Sequence, residues 1–173
     1  MRWELPAYFL EMCGLAVWFG GLFIIIAVVI PAVFNSFGME PAGRFLRRIF
    51  DGYSQVTLGV LMVLGINLAV RSWFSARKAT LIFPVMKLEY VLITAMLVVT
   101  VLIIWVFGPE TVALQEAAFQ AVTEIEKQTA YDRFFQMHMI VRGLYLTNAG
   151  LAVGLFIMKL RQSLMRQLAL GEG

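Results

Sequence analysis

The stretch 134–143 reads FFQMHMIVRG and holds the only histidine, His138, between Met137 and Met139. Imidazole and thioether are ligands that soft metals favour, so copper or heme chemistry is the first reading. The spacing argues against it. Neighbours on a helix point about 100° apart, so the two methionines leave His138 on different sides. A chelating set needs i, i+3 or i+4 spacing. His138 and Arg142 do have that spacing and share one face. They are candidates for an anion or lipid headgroup, with Asp132 and Asp51 as alternative partners of the arginine.

The other chemistry-bearing side chains are ionisable residues set into apolar runs: Glu11, Arg71, Lys87 and Glu89. A charge inside a bilayer is costly and needs a partner or a wet cavity. Lys87 and Glu89 are two apart on one helix and do not face each other. Glu11 and Lys87 fall at comparable depth on different helices, which allows a pair across the bundle. The alternative is that these side chains snorkel to the headgroups. Asn67, Arg142 and Asn148 would join Glu11 and Lys87 along a route through the bundle if the chain transported a solute.

Composition dictates the elements that position these groups. Hydrophobic residues make up 61% of the chain and charged residues 14%. A soluble domain has about 45–50% and 25%. A helix crossing roughly 30 Å of hydrocarbon needs about 20 apolar residues. Four windows supply them: 8–34, 54–73, 85–107 and 139–158. The expected fold is all-α, a four-helix membrane bundle forming one domain over 1–173. Gly108-Pro109 is expected to stop the third span. An amphipathic helix is expected at 109–128, striped by Leu114, Ala118, Ala121 and Ile125. The segment 41–53 suits a short helix that lies in the interface or leads into the second span. Gly150 and Gly154 form a GxxxG, and Ala16 with Gly20 is a second small-residue pair; both are expected to pack helices.

Several classes are excluded. One cysteine, Cys13, makes no intrachain disulfide, and with one histidine it makes no zinc site. No basic run interleaved with aromatics supports nucleic-acid binding. The first apolar run is too long for a signal-peptide core and reads as a retained span. Four spans put both termini and the middle connection on one side. That side carries Arg2, Arg71, Arg77, Lys78, Lys87, Lys159, Arg161 and Arg166. The other carries Arg44, Arg47, Arg48, Lys127 and Arg133, and all the acids of the 108–137 connection. The balance favours cytoplasmic termini in a bacterial-type plasma membrane.

The segment 11–23 reads EMCGLAVWFGGLF. Gly14, Trp18, Phe19, Gly21, Leu22 and Phe23 resemble the first-helix signature of the bacterial heme-dependent protoporphyrinogen oxidases. Lys87-Leu88 resembles the start of that family's third helix. The resemblance implies a histidine and a lysine beside heme. Lys87 matches the lysine, but Glu11 stands at the histidine, and a carboxylate is a poor substitute for imidazole as an axial ligand. The resemblance therefore implies the fold without the activity, with a Glu11–Lys87 pair where heme b would sit. A second resemblance is to the transmembrane-protein-205-like and copper resistance protein D-like superfamily. Trp18, Gly20-Gly21, Phe23, Pro31-Ala32, Phe34, Ala42-Gly43 and Phe50 carry it, with Phe135 and His138 on the last helix.

Three functions remain open. The leading one is a non-enzymatic membrane protein without cofactor: a scaffold, an accessory subunit or a tolerance factor, with a membrane-protein partner or a second copy. The second is a heme or copper binder. The third is a small transporter or channel built as an oligomer.

Overall fold

A computed structural model describes residues 3–77 and 83–171. Arg2 and Lys78, counted in the charge balance, lie outside the described residues. The described residues form an all-α bundle with four helices long and apolar enough to cross a membrane. This is a multi-pass membrane protein.

The first long helix joins α1 (Glu4–Ile24) to α2 (Ile30–Ser36) through a π-helical turn at Ile25–Val29. The third joins α4 (Lys87–Val101) to α5 (Gly108–Gln120) through another at Leu102–Phe107. Proline explains both turns. Pro31 and Pro109 lie in the first residues of α2 and α5, and each lacks an N–H and would clash with the carbonyl four residues back. Widening the helix by one residue relieves this. The wide bonds run from Ile30 N–H to the Ile25 carbonyl and from Gly108 N–H to the Ile103 carbonyl. Gly108-Pro109 therefore does not stop the third span; the helix continues through it to Gln120.

The second helix, α3, spans Met39–Ala76 without a break, so the segment 41–53 is its leading half. The fourth, α6, spans Glu124–Gly171. The stripe expected as one helix over 109–128 is thus divided, with α5 on one side and the start of α6 on the other. The division is a capping box. Thr123 N–H donates to Glu126 Oε2, and Glu126 N–H donates to Thr123 Oγ1, both at 3.3 Å. Two orphan donors at a helix start are satisfied reciprocally. Thr123-x-x-Glu126 carried that signal in the sequence.

Each of α1 and α4 packs against both α3 and α6. The helices therefore form a ring with α1 facing α4 and α3 facing α6 across it. The middle is filled by Leu15, Trp18, Leu64, Met96 and Leu155, all 0–1% exposed. Glycine lets α1 approach α3. A Cβ on Gly14 would lie 3.1 Å from Val60 Cγ1, and one on Gly21 would lie 3.3 Å from the Tyr53 ring. The small residues expected to pack the bundle do not face it. Ala16 is exposed, and a Cβ on Gly20, Gly150 or Gly154 meets nothing within 4 Å. The reason is register: α1 turns Leu15, Trp18 and Leu22 inward, and α6 turns Asn148, Ala152, Leu155 and Lys159 inward.

Candidate functional site

Near one end of the ring four buried charges meet, one from each of the four helices. Glu11 of α1, Glu89 of α4 and Lys159 of α6 are 0% exposed, and Arg71 of α3 is 2% exposed. Going round the ring the signs alternate: α1 negative, α3 positive, α4 negative, α6 positive. The Lys159 ammonium lies between the carboxylates, 2.5 Å from Glu11 Oε2 and 2.7 Å from Glu89 Oε1. Arg71 forks onto Glu89, through Nη2 to Oε1 and through Nη1 to Oε2 at 3.3 Å. Its Nη2 also reaches Glu11 Oε1 at 3.4 Å. Asn67 Nδ2 completes Glu11 by donating to Oε1 at 2.6 Å. All four carboxylate oxygens accept a hydrogen bond, and the net charge is zero. That balance is what a low-dielectric interior demands.

Helical periodicity delivers these groups to one level. Glu11 extends the stripe Leu15, Trp18, Leu22, and Glu89 extends Ile93, Met96, Thr100. Arg71 follows Leu64, Asn67 and Leu68 on α3. The tetrad is then covered. Tyr8 donates through its hydroxyl to the Lys159 carbonyl, and its ring lies 5.4 Å from the ammonium. Phe83 stacks on Tyr8 at 4.0 Å. The segment that carries Phe83 is latched to both neighbours. Phe83 N–H donates to Glu4 Oε2 at 3.3 Å, and Gln162 Nε2 donates to the Pro84 carbonyl at 2.7 Å.

The expected Glu11–Lys87 pair is replaced. Glu11 is paired with Lys159 and Arg71, whereas Lys87 is exposed on the first turn of α4. Two residues along a helix turn the side chain by about 200°, so with Glu89 inside, Lys87 faces out. Lys159 was missed because it sits one residue past the expected fourth span and reads there as a topology-setting cation. The signal that it is interior is its place on the Asn148, Ala152, Leu155 stripe.

His138 and Arg142 are both exposed on α6, far along the helix from Lys159. The His138 ring stacks on Phe134 at 5.6 Å, and Asp132 accepts from Gln128 at 3.1 Å. Met139 is exposed while Met137 is half-buried, so the methionines diverge as helical geometry requires. Deeper in the bundle Asn148 donates to Thr100 Oγ1 at 2.9 Å, tying α6 to α4. Among the described residues no three histidine, cysteine, aspartate or glutamate side chains are grouped to hold a metal ion.

Residues 13–120 match the family described as a domain of unknown function, DUF4149. The chain belongs to the DUF4149 family. No curated protein and no solved structure matches it. The DUF4149 match contains Arg71 and Glu89 and ends before α6, so Glu11 and Lys159 lie outside it.

Proposed function

We propose that this DUF4149 chain is a non-enzymatic protein of a bacterial-type plasma membrane, with both termini cytoplasmic. It serves as a scaffold, as an accessory subunit of a larger membrane complex, or as a tolerance factor. The kinship with transmembrane-protein-205-like and copper resistance protein D-like proteins belongs to the same reading. The supporting observation is the closed tetrad. A reactive site keeps a nucleophile, base or ligand position open to its substrate. Here two carboxylates are consumed by two cations of the same chain, under a cover of Tyr8 and Phe83.

The donor set does not fit heme. Glu11, at the position of the axial histidine in the resembling oxidases, already accepts from Asn67, Arg71 and Lys159. Lys87 faces away from it. A solute route through a single chain is blocked by Trp18, Leu64 and Met96. The outward glycines of α6, Gly150 and Gly154, support contact with a helix of another subunit.

One preparation tests this reading. Protein purified in mild detergent from heme-replete cells is expected to lack a Soret band. On native mass measurement it is expected to carry a stoichiometric partner or a second copy. A Soret band that disappears in Lys87→Ala would overturn the cofactor-free reading. A clean monomer would overturn the subunit reading.

A further inference from the structure

A groove of about 310 Å3 runs along the outside of the bundle between α1 and α3, at the end that holds the tetrad. Its walls are Trp3, Ala7 and Leu10 from the start of the chain and Val63, Ile66 and Val70 from α3. On α3 the residues Ile66, Val70, Trp73 and Arg77 recur at helical spacing, so Trp73 and Arg77 follow the groove's wall on the same face of the helix. The Arg77 guanidinium lies over the Trp73 ring, 4.3 Å from its centroid. The Trp3 ring packs on Phe74 at 5.6 Å and holds the two sides of the seam together at the same level.

We propose that this seam binds one anionic phospholipid, with an acyl chain in the groove and the phosphate on Arg77. Length supports it. From Val63 to Arg77 is fourteen residues of helix, roughly 21 Å, about the depth of one leaflet with its headgroups. Charge supports it as well. Among the described residues at this end the acids Glu4, Glu11 and Glu89 are 2%, 0% and 0% exposed, and the exposed charges are Arg77, Lys87 and Arg161. The other end mixes signs, with Arg44 paired to Glu40 and Glu116. The headgroup station is also preorganised: the guanidinium is a planar fork suited to bidentate phosphate recognition, and the tryptophan ring beneath it restricts its orientation.

The test measures lipid retention by native mass spectrometry and thermal stability in detergent, with phosphatidylglycerol against phosphatidylcholine. Wild type is expected to keep one phosphatidylglycerol and to be stabilised by it more than by phosphatidylcholine. Arg77→Gln should weaken phosphatidylglycerol binding about fivefold, the effect of one cation at the headgroup level. Ala7→Phe, which fills the groove, should remove the bound lipid. Arg161→Gln, at the same end but off the groove, should bind as wild type does. Equal retention of the two lipids by wild type would overturn the proposal. So would equal losses in Arg77→Gln and Arg161→Gln, which indicate diffuse surface charge.

Discussion

Glu11, Arg71, Glu89 and Lys159 are neutral only as a set. Lys159→Met leaves two buried carboxylates against one guanidinium. Breaking a buried pair by removing one partner costs about 3–5 kcal/mol, whereas removing both partners together is far cheaper. Thermal unfolding in detergent should therefore show a large loss for Lys159→Met. The double variant Lys159→Met with Glu11→Gln, which restores the charge balance, should recover at least half of it. Lys87→Met, on an exposed residue, should stay within about 0.5 kcal/mol of wild type. A larger effect of Lys87→Met than of Lys159→Met would show that Lys87, not Lys159, is the interior lysine. Glu11, Arg71, Lys87 and Glu89 were legible as charges set in apolar runs. Which of them pair inside and which, like Lys87, turn outward was not, because pairing depends on which face of each helix turns inward, and a single helix does not state that.

At the scale of elements, the two π-helical turns and the capping box set where the long helices widen and stop. Replacing an ordinary helical glycine by alanine stabilises by roughly 0.5–1 kcal/mol. At Gly108 the sign should reverse. A Cβ there would lie 2.5 Å from the Ile103 carbonyl oxygen, inside the wide turn that accommodates Pro109. Gly150→Ala, with nothing within 4 Å of the added carbon, should leave the isolated chain as stable as before or slightly more so. Melting curves of the two variants in one detergent compare them directly; equal shifts would count against the wide turn. The four spans were readable from hydropathy. Their true lengths were not, because the polar halves of α3, α5 and α6 are stabilised by neighbours rather than by lipid. Arg44 and Arg47 meet Glu116 across the α3–α5 contact at 3.1 and 3.7 Å, and α5 packs along the start of α6. These ion pairs are exposed and each adds little; the buried residue of α5 is Ala118, at 2% exposure.

For the whole molecule, the ring places the start of α1, the last part of α6 and residues 83–84 together, as the contacts of Tyr8 with Phe83 and of Gln162 with Pro84 require. With cytoplasmic termini, the α5–α6 hairpin stands outside. A membrane-impermeant thiol reagent applied to intact cells should then label Glu126→Cys and leave Arg161→Cys unlabelled until the cells are opened. The reverse pattern would invert the topology. The background is favourable, since the single native thiol, Cys13, lies on the outer face of α1 within a span.

The sequence by itself determined that the chain lives in a bilayer and that it crosses four times; it left open whether the charges in its apolar runs pair inside or snorkel to the headgroups. Continuous apolar runs of the needed length form helices, because in lipid the backbone must be hydrogen-bonded internally and a helix achieves this within one segment. The tertiary structure alone decided that the charges alternate round a ring, and that Lys159 and not Lys87 completes it. Each helix can turn either face inward at little local cost, and only the joint requirement of charge balance and packing among Leu15, Trp18, Met96 and Leu155 selects one arrangement.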